Sequence, residues 1–412
     1  MSGNAGVIIV GAGECGARAA LSLRENGYRH AITLIGDEVH LPYERPPLSK
    51  QILLDVTEPK LPAVLSDSVL AKYAIQHICG ASADAIDASG KQLMLSDGRA
   101  MPYDKLLLTT GATPRRLPNA PASSRILYLR TIEDAFALRS LIRADMHVGV
   151  LGGGFIGLEV AASARSRGAK VTVIEFQERI LKRGVPEPIA EAITALHQRN
   201  GVTVKCGVTV LGIEANEWRV DISLSDGDEM SADVLVVGIG AQPRTELAAQ
   251  AGIAIDNGIA VNECLETSVT DIYAAGDCCS FPHPLYGGRR LRLEAWRNAQ
   301  DQGILAAANL SGAAQSYQAV PYFWSDQFDH TLQIAGLVDE GCLVVRRDLG
   351  DGAFILFHLD DDRRLVAASG VGPGNKIAKD IKLSELLIAR RVTPPIEALT
   401  DANLKSLLPR AA

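Results

Sequence analysis

Apart from two adjacent residues, the sequence lacks any closely spaced pair of cysteines. Its seven cysteines are scattered, with no C-x-x-C or C-x-x-x-x-C pair, and only Cys278 and Cys279 are neighbours. Because a disulfide between adjacent residues is strained, we interpret these two as buried thiols. The eight histidines show no ligand spacing with cysteine or acid. The sequence therefore predicts no metal site.

The sequence also has no excess of positive charge, no stretch that resembles a signal peptide and no uninterrupted apolar run. The net charge of −7 does not favour nucleic acid as a partner. The N-terminus leads almost directly into a strand, so no signal peptide is expected and the cytoplasm is the expected location. The apolar run Val148–Ala164 is broken by glycines and Glu159, which predicts a strand, loop and helix and not a membrane span. A chain of 412 residues predicts two or three globular domains.

Two glycine-rich loops are the most informative feature present. Gly11-Ala-Gly13-Glu-Cys15-Gly16 follows the apolar run Val7–Val10, and Gly152-Gly-Gly154-Phe-Ile156-Gly157 follows Val148–Leu151. In such G-x-G-x-x-G loops the first glycine permits the turn, the second lets a pyrophosphate approach the main chain, and the third lets the helix pack closely. The helix N-terminus offers unpaired N–H groups to the phosphates. Two copies predict two bound dinucleotides, with electrons passing between them.

Each loop is followed by a second strand that ends at an acid. The strand at 31–35 leads to Asp37 and Glu38, and the strand at 170–174 leads to Glu175. An acid there can bind the ribose hydroxyls of the adenosine half. The Glu175 carboxylate would also repel the 2′-phosphate of NADPH, which favours NADH. Three cations slightly downstream make this a preference and not an exclusion: Arg179, Lys182 and Arg183.

A second duplication indicates the domain boundaries. The segments Tyr103–Arg115 and Ala232–Arg244 each run from an Asp through an apolar strand and a glycine turn to a Pro. Each nucleotide-binding domain therefore closes with the same strand, and the second domain interrupts the first. The predicted fold class is α/β, with two Rossmann-like dinucleotide-binding domains, the second inserted in the first, and a C-terminal α+β domain. The expected boundaries are 1–112 and 241–319, 113–240, and 320–412.

The remaining segments predict local structure. The prolines of Leu41–Lys50 argue against a helix or a central strand there. Thr267–Asp277 predicts a short strand ending in Gly-Asp, whose carboxylate either accepts from a ribityl hydroxyl or only forms a turn. A helix is expected at 293–309. Antiparallel strands are expected near 323–324, 332–334, 343–345 and 354–357, and helices near 375–391 and 395–408.

The order of these motifs resembles one enzyme family. After the first loop come Pro42–Lys50 (PYERPPLSK), a glycine turn, the second loop with Glu159, a Gly-Asp pair and Phe323–Gln327 (FWSDQ). This order is similar to that of the FAD-dependent ferredoxin reductases of bacterial oxygenase systems, which serve Rieske-type aromatic dioxygenases or haem-thiolate monooxygenases. The resemblance covers essentially the whole chain. It implies an FAD domain, an inserted NAD domain and a C-terminal α+β domain.

The resemblance also implies which residues hold FAD and NADH. Lys50 would lie near flavin N5 and pair with Glu159, which makes these two the predicted catalytic residues; the carboxylate offsets the cost of burying the ammonium. The family usually has a small residue or His where this chain has Glu14-Cys15. The implied FAD residues are Gly11, Gly13, Cys15, Gly16, Asp37, Arg45, Lys50, Ala83, Thr110, Gly111, Arg130, Asp277 and Trp296. The implied NAD residues are Gly152, Gly154, Ile156, Gly157, Glu159, Glu175 and Gly240.

The segment after the first βαβ unit contains no cysteine. Disulfide reductases of this architecture need a cysteine pair there, and the related peroxidases and oxidases need one thiol. Without a thiol relay, the reduced flavin is expected to release electrons one at a time. The expected acceptor is a [2Fe–2S] ferredoxin, of the Rieske or the plant/adrenodoxin type, that supplies a terminal oxygenase. The enzyme itself is expected to be a monomer or a weak homodimer.

Two other functions stay open on the sequence. One is an NADH-sensing flavoprotein of the apoptosis-inducing-factor type, although the targeting segment and basic surface usual there are missing. The other is an NADH-dependent reductase of a small molecule such as a quinone or monodehydroascorbate. The ferredoxin docking surface is also open, because a cluster of arginines fits either a basic patch for an acidic partner or a solvated loop. These are Arg289, Arg290, Arg292 and Arg297.

Overall fold

The fold is that of a computed structural model, which describes residues 5–55, 61–400 and 404–408. The strands in that part of the chain are β1 (Val7–Val10), β2 (Ile32–Ile35), β3 (Gln76–Ile78), β4 (Ala83–Asp87), β5 (Gln92–Leu95), β6 (Ala100–Pro102), β7 (Lys105–Leu108), β8 (Ala112–Pro114), β9 (Ile126–Leu127), β10 (His147–Leu151), β11 (Lys170–Glu175), β12 (Val202–Cys206), β13 (Val210–Ala215), β14 (Val220–Leu224), β15 (Glu229–Ala232), β16 (Val234–Val237), β17 (Ala241–Pro243), β18 (Ile259–Ala260), β19 (Ile272–Ala274), β20 (Cys279–His283), β21 (Arg289–Leu291), β22 (Tyr322–Gln327), β23 (His330–Gly336), β24 (Leu343–Gly350), β25 (Ala353–Leu359) and β26 (Leu365–Pro373).

The α-helices are α1 (Glu14–Glu25), α2 (Gln51–Leu54), α3 (Asp67–Lys72), α4 (Ile132–Leu141), α5 (Phe155–Ser166), α6 (Glu187–Arg199), α7 (Glu246–Gln250), α8 (Trp296–Leu310), α9 (Ala378–Ala389) and α10 (Ile396–Thr400). Short 3₁₀ turns lie at Pro46–Ser49, Gly276–Cys278, Pro284–Tyr286, Val338–Glu340 and Leu404–Leu407. None of these helices is long and apolar enough to cross a membrane.

The chain divides into two compact units. The first unit comprises Met1–Glu44, Leu61–Thr113 and Gln242–Pro321, and the second comprises Arg45–Lys60, Pro114–Ala241 and Tyr322–Ala412. The exact residues at which the three domains begin and end stay a prediction.

The first unit is built on a parallel sheet in the order β19-β7-β1-β2-β3. Its strands are short apolar runs, as expected for a sheet covered on both faces, and Ile8, Leu34 and Leu107 are fully buried. Helix α8 packs on α1 because Gly303 has no side chain: a Cβ there would come within 2.6 Å of the Cys15 carbonyl oxygen. Trp296, at the start of α8, lies in the same unit as the first loop.

The second unit contains a matching parallel sheet in the order β12-β11-β10-β16-β9 and an antiparallel one in the order β22-β23-β26-β25-β24. A single apolar core joins them, since Val150 and Leu158 belong to the same buried cluster as Leu332 and Phe354. Leu53, from the short helix after the proline-rich segment, lies in this cluster too. The predicted α/β class with two Rossmann-like sheets and a C-terminal α+β part is confirmed.

Local predictions differ from the structure in several places. The proline-rich segment contains a 3₁₀ turn at Pro46–Ser49, because prolines at the first positions of a helix lose no hydrogen bond. The strand expected at Thr267–Asp277 is shorter, Ile272–Ala274, and its Gly-Asp pair starts a 3₁₀ turn. The helix expected at 395–408 is instead α10 and a 3₁₀ turn at Leu404–Leu407, with 401–403 outside the described residues.

Acid should weaken the C-terminal sheet through His358. This histidine is buried, its Nε2 lies 2.9 Å from the Ser369 hydroxyl, and burial lowers its pKa from 6.5 to about 4. Between pH 6.5 and 4 the unfolded chain binds a proton here that the folded protein does not. Stability therefore falls as the pH drops through that range, by about 3 kcal/mol from this group.

The measurement is urea unfolding at several pH values between 4 and 7, with His358→Gln beside the wild type. Glutamine can keep the bond to Ser369 but does not titrate, so the variant should lose less stability on acidification. His30→Gln, at an exposed histidine, serves as control. If the wild type and His358→Gln lost the same stability on acidification, the prediction would be contradicted.

Candidate active site

The first loop contains two kinds of glycine. Two of them are required by close packing, and one faces open space. Gly11 has φ +111°, and a Cβ there would lie 2.1 Å from the Thr109 carbonyl oxygen. A Cβ on Gly16 would lie 2.0 Å from the Gly11 carbonyl oxygen. A Cβ on Gly13 would meet no protein atom within 4 Å. Gly13 is also the N-cap of α1, where no side chain caps the helix. This open, uncapped N-terminus fits the pyrophosphate of a dinucleotide.

The second loop repeats this arrangement. Gly152 has φ +107°, and a Cβ there would lie 2.3 Å from the Gly238 carbonyl oxygen. Gly157 packs against Gly152 as Gly16 packs against Gly11. A Cβ on Gly157 would lie 2.2 Å from the Gly152 carbonyl oxygen. Gly154 faces open space and is the uncapped N-cap of α5. Ile156, in the first turn of α5, is 47% exposed beside this opening.

The acids after the two second strands are not equivalent. In the parallel pairing Val10 is opposite Ile35, and Leu151 is opposite Ile174. Glu175 therefore corresponds to Gly36, and Asp37 lies one residue further along. Glu175 is buried, and its oxygens accept the Gly153 N–H at 2.7 Å and the Gln177 N–H at 2.8 Å. The loop backbone thus fixes the Glu175 carboxylate.

Asp37 instead forms an ion pair with Arg244, at 2.7 Å between Oδ2 and Nη1. The Arg244 N–H donates to the Gly111 carbonyl oxygen, and the Thr110 hydroxyl donates to the Arg244 carbonyl oxygen. The structure therefore brings together Asp37, Thr110 and Gly111 through a residue to which the sequence assigned no role. The signal was present, because Arg244 ends the second copy of the duplicated strand.

The other residues predicted to contact FAD are distributed over both units. In the first unit, Asp277 lies in the 3₁₀ turn after β19, Trp296 is the first residue of α8, and Cys15 is buried in α1. Ala83 begins β4, in a three-stranded sheet separate from the sheet that bears the loop. The second unit holds Arg45, Lys50 and Arg130, where the Arg45 guanidinium donates to the Arg130 carbonyl oxygen at 2.6 Å.

The second unit brings Lys50 and Glu159 together as predicted. Lys50 Nζ lies 2.9 Å from Glu159 Oε2, and the carboxylate is 3% exposed. The Ser49 hydroxyl donates to the same oxygen at 2.5 Å, and the Ser325 hydroxyl donates to Oε1 at 2.6 Å. Three donors on one buried carboxylate compensate for its lost hydration. Neither serine was identified from the sequence as a site residue.

The cations downstream of Glu175 are occupied by the protein itself. Arg179 donates to the carbonyl oxygens of Ile180, Leu181 and Val185. Lys182 forms an ion pair with Glu178. Arg183 lies instead toward Gly240, with its Nη2 3.4 Å from where a Cβ on that glycine would be. Two of the three charges that could attract a 2′-phosphate are therefore already satisfied.

The thiols of Cys278 and Cys279 are directed into the core of the first unit. The Cys278 thiol donates to the Ala275 carbonyl oxygen at 3.3 Å, and the Cys279 thiol donates to Gln302 Oε1 at 3.2 Å. Burial raises the pKa of both thiols, and it raises the pKa of Cys15 as well. All seven cysteines are free and lie in described residues. The interpretation of Cys278 and Cys279 as buried thiols is confirmed.

Three of the four arginines that fit either a docking patch or a solvated loop are paired with local acids. Arg290 lies 3.4 Å from Asp256, Arg292 lies 2.5 Å from Glu294, and Arg297 lies 3.4 Å from Asp301. Arg290 also donates to two carbonyl oxygens. These contacts favour a structural role for the arginines over a docking patch.

Two open glycine cradles, each after the central strand of its own parallel sheet, define a protein that binds two dinucleotides. A family model described as pyridine nucleotide-disulphide oxidoreductase matches residues 5–303, and one described as reductase C-terminal matches residues 322–408. The chain belongs to the pyridine nucleotide-disulphide oxidoreductase family. It is an oxidoreductase that depends on FAD and NADH.

Curated and solved relatives extend over nearly the whole chain. The anthranilate 1,2-dioxygenase system ferredoxin–NAD(+) reductase component of Burkholderia cepacia is 40% identical over 409 residues, covering 97% of this chain and 98% of that protein. The rubredoxin–NAD(+) reductase of Pseudomonas putida is 38% identical over 342 residues, covering 82% and 89%. The crystal structure of a covalent putidaredoxin reductase–putidaredoxin complex matches with TM-score 0.92 and 36% identity, covering 98% and 97%. The family resemblance seen in the sequence is confirmed.

Proposed function

We propose that the protein takes a hydride from NADH onto FAD and passes the electrons singly to a [2Fe–2S] ferredoxin that supplies a terminal oxygenase. The observation that carries this proposal is the chemistry of the proline-rich segment. Where a disulfide reductase needs a cysteine pair, this segment has Lys50, paired with Glu159. The nearly complete match to reductases named for their ferredoxin partners supports the same function.

In this scheme the residues of the chain bind the two cofactors and orient them. The loop N–H groups at Gly13 and Gly154 would hold the two pyrophosphates, and Glu159 holds the Lys50 ammonium in place as a positive charge. When bound, FAD supplies the chemistry that accepts a hydride and releases single electrons. The protein's contribution is therefore position and electrostatics.

Glu175 gives the preference for NADH over NADPH in this proposal. Its carboxylate is fixed by two backbone N–H groups, so it cannot turn away from a 2′-phosphate without losing them. Like charges placed in contact cost several kcal/mol. Because Arg179 and Lys182 are already satisfied, little positive charge remains there to offset that repulsion.

The type of acceptor is the finer part of the proposal. Relatives of similar identity are named for a ferredoxin, putidaredoxin, rhodocoxin or rubredoxin, so identity alone does not choose among them. We infer a [2Fe–2S] ferredoxin, a monomer or weak homodimer, and a cytoplasmic location. The apoptosis-inducing-factor type and the direct reductase of a quinone are alternative outcomes of the test.

The test is steady-state cytochrome c reduction by NADH with purified protein and a panel of acceptors. The protein should be yellow, bleach with NADH, and reduce cytochrome c rapidly only when a [2Fe–2S] ferredoxin is added. Rubredoxin and a quinone are the controls. Fast turnover with the quinone alone, or an NADH-dependent change of oligomer on size exclusion without turnover, would exclude the ferredoxin function.

A further inference from the structure

The Lys50–Glu159 pair is the end of a longer buried hydrogen-bonded chain. Ser325, on β22 of the C-terminal sheet, donates to Glu159 at 2.6 Å and accepts from Gln327 Nε2 at 3.1 Å. Gln327 Oε1 lies 2.8 Å from His197 Nε2, on helix α6. All of these residues except Lys50 are at most 3% exposed. Neither the sequence motifs nor the proposed function assigns a role to Ser325, Gln327 or His197.

The carboxylate fixes the direction of every bond in this chain. Because Glu159 only accepts, the Ser325 hydroxyl must donate to it and must accept from the Gln327 amide nitrogen. The Gln327 oxygen then accepts from His197, so the histidine carries its proton on Nε2. Burial lowers the pKa of His197, which keeps the ring neutral. His197 Nδ1 finds no hydrogen-bond partner in the described part of the chain, so no acceptor there competes for the proton on Nε2.

All donors therefore face toward Glu159. Aligned hydrogen bonds in a buried site polarise one another, so each strengthens the next. The result is a carboxylate held from two sides: Ser49 and Lys50 from the proline-rich turn bind Oε2, and Ser325 from the C-terminal sheet binds Oε1. Removing Ser325 leaves Oε1 without this donor and frees the carboxylate to rotate.

We infer that Ser325 and Gln327 are positioning residues that act through Glu159 to hold the Lys50 ammonium in one place. The inference rests on the proposed function only in the position near flavin N5 that the family resemblance implies for Lys50. It assigns the C-terminal sheet a role in the NADH half of the reaction, in addition to any role in binding an acceptor.

The experiment is stopped-flow bleaching of the flavin by NADH in the holoenzyme, with no acceptor present, together with the flavin reduction potential. Ser325→Ala should lower the limiting bleaching rate about tenfold, as expected for one bond to a charged group, and leave the half-saturating NADH concentration nearly unchanged. The potential should fall, since a less fixed positive charge stabilises the reduced flavin less. Ser325→Thr, which keeps the hydroxyl, should restore both.

Two further variants separate positioning from general damage. In a Lys50→Gln background Ser325→Ala should have little additional effect, because the group through which it acts is gone. Ser369→Ala removes a buried serine that pairs with His358 in the same sheet but does not reach Glu159, and should leave rate and potential unchanged. Equal effects of Ser325→Ala with and without Lys50, or an equal effect of Ser369→Ala, would overturn the inference. Since no acceptor is present, failure of the ferredoxin function would not produce these results.

Discussion

Gly13→Ala is expected to give a folded protein that has lost most of its FAD. The backbone at Gly13, with φ −82° and ψ −169°, suits alanine, and the new Cβ meets no protein atom within 4 Å. Alanine is a poorer N-cap than glycine, so stability should fall by no more than about 1 kcal/mol. The space that the Cβ fills is where the pyrophosphate would approach. Overpacking there should weaken FAD binding by about 1–3 kcal/mol, roughly ten- to a hundredfold.

The second loop provides the matched control. Gly154 has the same extended backbone and the same open space, so Gly154→Ala should retain FAD and raise the half-saturating NADH concentration. Gly11→Ala should fail to fold well, since its Cβ would lie 2.1 Å from the Thr109 carbonyl oxygen at φ +111°. The measurements are the FAD content of purified protein, FAD affinity by fluorescence, and thermal unfolding of the apoprotein. Wild-type FAD affinity in Gly13→Ala would show that the first loop does not cradle the dinucleotide.

Lys50→Met is expected to destabilise the protein far more than the loss of a surface lysine. It leaves the Glu159 carboxylate buried without its counter-ion, and breaking a buried pair in this way costs about 3 kcal/mol or more. The double variant Lys50→Met with Glu159→Leu removes both charges, so it should recover much of that stability. It should not recover rapid bleaching by NADH, because the positive charge is absent in both variants.

The measurement is urea unfolding followed by circular dichroism at fixed FAD concentration. Lys382→Met removes a lysine from an exposed pair with Glu385, and it should cost less than about 1 kcal/mol. If Lys50→Met were no more destabilising than Lys382→Met, the pair would not matter for stability. If the double variant bleached like the wild type, Lys50 would have no role in the reaction.

The local chemistry of glycine explains how much the sequence alone could predict. Gly11 and Gly152 need positive φ, which is a requirement of the residue itself, whereas the carbonyl oxygens that crowd them belong to Thr109 and Gly238, far away in the chain. Apolar runs before and after each loop predict a buried parallel sheet. The class, the two dinucleotide sites and the Lys50–Glu159 pair therefore came from motifs and the family resemblance. Strand β26 was missed, because Leu365–Pro373 mixes alanines and glycines with few large apolar residues.

By itself, then, the sequence determined the two nucleotide cradles and the kind of fold that bears them, since both depend on short-range backbone geometry and on runs of apolar residues. Only the tertiary structure decided how the side chains of Glu159 and Asp37 are held. Ser325 reaches Glu159 from 166 positions away, and Arg244 reaches Asp37 from 207. Packing also placed Asp256 beside Arg290, one of the arginines for which the sequence left a docking patch open. Contacts between distant segments depend on how the elements pack in three dimensions, and no local pattern in the chain encodes those contacts.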